Sequence, residues 1–376
     1  MGISCRMMVE RLSALDGLRG IAALLVVVFH FRHFGPWFGL PWVGGSEFLN
    51  KGYLWVDLFF VLSGFVLAHV YAHSFRHGLP RWDQVRTFWW ARFARVYPLH
   101  LAALLLLIGL VAVGFIQPLG HNGRCYDLWN LAASLGLVHV WGLTSGLCWN
   151  VPSWSIAAEA AVYALFPWLV PLVMGMPRRW RRLVPVACIA GLMALVVIVG
   201  KEGLNIHHTL GAFRCLPSFI LGLWIFHEKE AGAGWQRAVQ TDTGCLLAGV
   251  SVILLMHHGA PDILIVTAMA LLIAGMAGNR GTPGRMLGTP PFVWLGAISY
   301  AVYMLHWPLL LVTASLLELW FPAQEQPLSR PVKAMLYAAY LSVLLGVSTV
   351  THHFLEVPAR RWLRQGWAWP RRLRRV

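Results

Sequence analysis

The stretch LSALDGLRGIAALLVVVFHFRH, residues 12–33, decides how the chain is read. It is apolar and long enough to cross a bilayer, which takes ~20 residues. Yet it carries Asp16, Arg19 and His30. An ionisable group at membrane depth costs at least ~2.5 kcal/mol, so three on one span point to function rather than anchoring. Arg19 and His30 lie eleven residues apart, which in a helix is about three turns plus 20° and a rise of ~16 Å, so both side chains leave one face. Asp16, a turn below, falls within roughly 60° of that face.

Outward from this helix, the composition is that of a polytopic membrane protein. Of 376 residues, 58% are hydrophobic and 12% charged, about half the ~25% charge of a soluble domain. Mean hydropathy is +0.63 and the pI near 10.2. That basicity does not indicate nucleic acid, because Lys and Arg fall in short clusters between apolar runs.

Eleven apolar runs are candidate spans: 14–34, 52–73, 96–116, 128–147, 153–174, 183–200, 208–227, 243–257, 262–278, 292–319 and 331–354. If 128–147 does not cross, 22 of the 30 Lys and Arg fall inside and 6 outside, against 10 and 18 if all eleven cross. Charge asymmetry therefore selects ten transmembrane helices with both termini cytoplasmic. Segment 128–147 is then re-entrant or surface-lying, with its ends covered by other helices. The expected fold is an all-α bundle forming one domain over 1–376, with a basic cytoplasmic tail at 360–376 lying on anionic lipid.

Met1–Arg11 lack a cleavage site, so the first helix is expected to be retained. The six cysteines include no CxxC or zinc spacing. Cys125 and Cys148 fall in one external region, where the compartment permits a disulfide that spacing alone does not establish.

Depth follows from ~1.5 Å per residue, which puts His30 and Asp57 ~9 Å outward of the midplane, Glu159 and Arg214 ~6 Å outward and His306 near it. These groups either pair between helices or include a general base, the usual work of an imidazole near a carboxylate. The strip Arg86–Pro98 alternates Arg86, Arg92 and Arg95 with aromatics, as a phosphate clamp with stacking rings would or as an interfacial anchor would. His69, His73 and His77 are read as interfacial, and no metal is expected. GxSxG, Gly-rich phosphate loops and HExxH are absent.

Taken in order, LDGLRGIAALLVVVFH (15–30), WVDLFFVLSGFVLA (55–68), ARFARVYP (91–98), VPSWSIAAEAAVYALFP (151–167), AISYAVYMLHWPLL (297–310) and FLEVPARRWL (354–363) resemble the integral-membrane acyltransferase 3 family. The resemblance implies ten helices in a bacterial cytoplasmic membrane. It implies an enzyme moving an acyl group, usually acetyl, from cytoplasmic acyl-CoA to a hydroxyl of a carbohydrate or related acceptor. It maps the first-helix pair onto Arg19 and His30, the preceding DG onto Asp16 and Gly17, the third-helix arginines onto Arg92 and Arg95, and two acids onto Glu159 and Glu356. Where many members read WSLSVEEQFY, this chain reads WSIAAEAAVY, with Ala160 and Ala161 replacing an acid and an amide. Some members continue into a soluble SGNH esterase-like domain; this chain ends at Val376, so transfer is completed by the membrane domain alone or with a separate periplasmic partner.

The expected mechanism binds the nucleotide and phosphates of acyl-CoA, the co-substrate, at Arg86, Arg92, Arg95 and Arg19. His30 is the general base, with Asp57 or Glu159 orienting it. Arg214, Ser299, Tyr300 and His306 are the oxyanion or acceptor candidates. An acyl-histidine route stays open, and so does the oligomeric state. The rival class is a proton-coupled transporter using the same buried groups, but the matching broken helices that would favour it are absent from the sequence.

Overall fold

A computed structural model describes residues 12–31, 46–76, 78–116, 125–144, 146–321 and 328–365. Among these residues the regular structure is helical, with no strand. Ten helices of fifteen residues or more follow the ten expected spans. They are α1 (Ser13–Phe31), α2 (Trp55–Phe75), α3 (Trp82–Ala112), α5 (Ser153–Met174), α6 (Val184–Val199), α7 (Gly211–Glu230), α8 (Asp242–His257), α9 (Asp262–Met276), α10 (Pro290–Trp320) and α11 (Arg330–Thr351). The remaining two labelled helices are α4 (Leu128–Leu135) and α12 (Val357–Gln365).

Six helical stretches are long and apolar enough to cross a membrane: α1, Asn50–Phe75, α3, α5, α10 and Arg330–Gln365. Helices α6, α8 and α9 are apolar but, at 15 or 16 residues, reach only about 24 Å at 1.5 Å per residue, less than a ~30 Å hydrocarbon core.

Two glycine-mediated crossings set the centre of the bundle. Helix α1 packs along α10 and α2 along α7. A Cβ on Gly64 would strike the Phe219 carbonyl, and one on Gly222 the Val61 carbonyl, so α2 and α7 touch backbone to backbone, as small residues permit. Likewise Gly296 sits against the Asp16 backbone, which brings the polar start of α1 onto α10.

Segment 128–147 does not cross. Asp127 caps the eight-residue α4 by accepting from Asn130 N at 2.7 Å. The chain then turns back irregularly, with Leu137 and Trp149 at positive φ. Cys125 and Cys148 are joined by a disulfide, their Cα atoms 5.0 Å apart, so the segment returns to the level at which it left. Its inner side is tied down where Tyr97 Oη donates to Leu135 O at 3.2 Å and His100 Nε2 meets Ser134 O at 2.9 Å.

The basic tail differs from expectation where it is described. Residues 360–365 belong to α12, which packs on the start of α3, and Trp90 Nε1 donates to Leu363 O at 2.8 Å. The amphipathic pattern of that stretch therefore docks on protein rather than lying on lipid alone. His33, His77 and Cys5, residues 1–11 with the amino terminus, and the tail residues 366–376 lie outside the described residues.

Candidate active site

A cavity of about 150 Å³ runs between α1, α2, α3, α5 and α10. Its lining combines three guanidinium groups, the Glu159 carboxylate, the phenols of Tyr163, Tyr300 and Tyr303, and the hydroxyls of Ser63, Ser155 and Ser299.

The basic part of the lining is built by spacing. Arg92 and Arg95, three residues apart on α3, share a face and both line the cavity. Arg92 Nη2 donates to Tyr71 Oη at 2.8 Å, and its guanidinium lies over the Tyr71 ring at 5.0 Å. Its Nε is buried with no hydrogen-bond partner among the described residues. Arg95 pairs with Glu356 and lies 5.5 Å over the Tyr300 ring. Glu356 also meets His352 Nδ1 at 3.1 Å, and it sits in the π-helical turn His352–Glu356, a distortion that recurs at functional sites. Arg19 reaches in from α1: Nη2 donates to Gly296 O at 2.8 Å and to Asp16 Oδ1 at 3.2 Å, and Nε to Ser299 Oγ at 3.1 Å.

Glu159 Oε2 accepts from Tyr163 Oη at 2.6 Å, and that phenol is 3.1 Å from Ser63 Oγ. Ser155 Oγ and Tyr303 Oη are 2.6 Å apart. Behind Tyr303 lie two histidines. His306 Nδ1 meets Tyr303 O at 2.6 Å, and His306 Nε2 is 3.2 Å from His30 Nδ1, which is also 2.9 Å from Val26 O. A carbonyl only accepts, so each ring carries its proton on Nδ1 when neutral. Nε2 of His30 is then its basic nitrogen.

The expected layer of ionisable groups is thus three separate groups. Arg19, Arg92, Arg95 and Glu159 meet at the cavity, as do Ser299 and Tyr300. His30 pairs with His306, and neither lines the cavity; the Tyr303 ring stands 5.9 Å from His306 and forms the wall between. Arg19 and His30 therefore share a helix but no continuous open corridor.

Asp57 and Arg214 form the third group. Arg214 donates to both Asp57 carboxylate oxygens at 3.2 and 2.5 Å, to Ile206 O at 3.2 Å and to Tyr53 O at 2.9 Å, and both side chains are fully buried. A buried carboxylate takes the adjacent guanidinium, so Asp57 is engaged by Arg214 rather than by His30, and Arg214, with four of its five N–H groups spent and no place in the cavity lining, does not face a reacting oxygen there.

Three other expectations need correction. Arg86 is exposed and does not line the cavity, being six residues and so roughly 240° round from Arg92. Tyr300 Oη is committed to Val96 O at 2.5 Å, and Ser299 Oγ to Gly296 O at 2.8 Å. Asp16 serves Arg19 from outside the cavity lining.

Tyr163, Ser63, Tyr71 and the Ser155–Tyr303 pair were not singled out from the sequence. Only Tyr163 carried a signal there, one turn after Glu159 in the quoted motif.

Comparison with known proteins locates this arrangement. Residues 12–352 match the family described as "Acyltransferase domain". The chain is 30% identical over 386 residues to "Acyltransferase MdmB" of Streptomyces mycarofaciens, covering 94% of this chain and 93% of that one. It is 24% identical to "Putative peptidoglycan O-acetyltransferase YrhL" of Bacillus subtilis (92% of this chain, 54% of that one). It is 22% identical to "Peptidoglycan O-acetyltransferase OatA" of Listeria monocytogenes (93% and 56%). The chain thus spans a little over half the length of these two peptidoglycan relatives. No solved structure matches it. Since the family match takes in every cavity-lining helix, the chain belongs to the acyltransferase family and is a membrane acyltransferase.

Proposed function

We propose that this enzyme is an O-acyltransferase that moves an acyl group, acetyl by default, from cytoplasmic acyl-CoA to a carbohydrate hydroxyl, with His30 as general base. The carrying observation is the lining of the cavity, which holds three arginines, one of them with an unbonded buried Nε, and Tyr303, against which the His306–His30 pair is set. A bacterial cytoplasmic membrane fits the distribution of Lys and Arg. The disulfide fits an oxidising exterior.

Arg92, Arg95 and Arg19 hold phosphates, for which a planar guanidinium fork is suited. From Arg19 to His30 is ~16 Å along α1, comparable to a pantetheine arm. The thioester then lies beside Tyr303, whose side chain swings aside to admit it to His30. The acceptor oxygen bonds to the thioester carbon as its proton passes to His30 Nε2. The carbon–sulfur bond breaks, and the departing thiolate takes that proton back. Ser155 replaces Arg214, Ser299 and Tyr300 as oxyanion donor: its hydroxyl lines the cavity and, once Tyr303 has swung aside, exchanges its 3.2 Å bond to Pro152 O for the developing charge. His306 is a positioning residue that holds the His30 tautomer, and Glu159 holds Tyr163 on the cavity wall.

Peptidoglycan in the names of two relatives supports a glycan acceptor. The test is purified protein in lipid nanodiscs given acetyl-CoA with and without glycan acceptors. Acceptor-dependent release of free thiol is expected. Thioester that stays intact with every hydroxyl acceptor tried, or transfer that free CoA does not inhibit, contradicts the reading.

A further inference from the structure

We propose that α12 is part of the donor site, with Arg360 and Arg364 binding the phosphates of acyl-CoA furthest from the thioester; this rests on the acyl-CoA reading above.

The π-helical turn His352–Glu356 ends α11 and turns Glu356 inward onto Arg95. From there Glu356, Arg360, Leu363 and Arg364 fall at i, i+4, i+7 and i+8, one face of a helix. Leu363 O is held by Trp90 Nε1, which fixes that face against α3. Arg360 and Arg364 are accordingly half-buried, whereas Arg361 is exposed and Trp362 73% exposed. A basic amphipathic helix resting on a bilayer presents its arginines to headgroups. Here two of them turn toward Arg92 and Tyr71, close enough to interact electrostatically with Arg92, and Arg95 in turn feels Arg19, Arg92 and Arg360.

Arg360 and Arg364 therefore stand behind Arg92 and Arg95, which with Arg19 line the cavity. Asp16 pairs with Arg19, and Glu356 with Arg95. A polyanion is the ligand that so basic a cluster attracts, and the buried, unbonded Arg92 Nε is a donor for it. A nucleotide thioester carrying a diphosphate and a ribose phosphate has that charge. The thioester end belongs up the cavity, so the ribose phosphate belongs furthest out, at α12. A phospholipid headgroup offers the same phosphate chemistry from a different source.

The test measures binding of CoA and of dephospho-CoA, which lacks the ribose phosphate, to the full chain in phosphatidylcholine nanodiscs by titration calorimetry. The wild type is expected to prefer CoA by about tenfold, the worth of one charge-assisted hydrogen bond. Arg360→Gln and Arg364→Gln are expected to remove most of that preference, Arg360→Lys to keep part of it, and Arg361→Gln to leave it intact, with thermal unfolding unchanged throughout. Preference for CoA undiminished in both Gln variants overturns the role of α12 while leaving the donor reading standing. An effect of the variants only when anionic lipid is added assigns the arginines to headgroups and overturns it too. No binding of either compound to the wild type overturns the donor reading itself, and this inference with it.

Discussion

Two groups of charged side chains occupy the bundle, one around Arg214 and one around Arg92, and they differ in whether the protein completes their bonding. Arg214 spends Nε, Nη1 and Nη2 on Asp57, Ile206 O and Tyr53 O, with no exposure. Arg92 lines a cavity, stacks on Tyr71 and keeps one buried nitrogen unbonded. Both place a guanidinium inside the bundle, so charge and burial alone do not separate a structural group from a binding one. What separates them is the donor left over, because an unmade buried hydrogen bond costs about 1–3 kcal/mol unless a ligand satisfies it.

The comparison can be broken or sharpened by substitution. The largest effect is expected at the histidine pair beyond the Arg92 cavity. His30→Ala should lower kcat by about 10²–10⁴-fold with thermal unfolding little changed; loss of the folded protein instead would move His30 into the closed class with Arg214. Next, Arg214→Met should destabilise by about 3–5 kcal/mol, since it leaves the Asp57 charge buried and alone. Adding Asp57→Leu should recover much of that loss, and chemical denaturation of the two variants measures the difference. Arg92→Gln should leave stability within about 1 kcal/mol and raise KM for acetyl-CoA by about tenfold with kcat nearly kept, the signature of lost uniform binding. An effect on acceptor KM alone would displace the donor site. Smallest in activity, Cys125→Ser with Cys148→Ser should change kcat less than about threefold, because neither cysteine lines the cavity, while lowering stability by about 2–4 kcal/mol.

Much of the frame was legible in the sequence. Hydrophobic length and the Arg distribution gave the helices and the failure of 128–147 to cross, which the 5.0 Å Cα separation of Cys125 and Cys148 bears out. Counting 1.5 Å per residue assigns an expected depth to Asp57, Glu159, Arg214, His30 and His306. It did not give rotation about each helix axis or which helix stands alongside. Those decide that Asp57 meets Arg214 and that His30 meets His306. Arg86 illustrates rotation within one helix, since its offset from Arg92 was computable from the spacing alone. The inward turn of α12 was not, because it depends on the π-helical turn at His352–Glu356, which redirects the face that follows.

The central claim is that a donor anchored by Arg92 and Arg95 delivers its acyl end past Tyr303 to His30. The most direct measurement is photolabelling with an acyl-CoA analogue carrying a diazirine on the acyl chain, followed by peptide mass spectrometry. The account predicts label on Tyr303, His306 or His30, competed by free CoA and weakened in Arg92→Gln. CoA-competed label confined to residues away from Tyr303 and the histidine pair would contradict it.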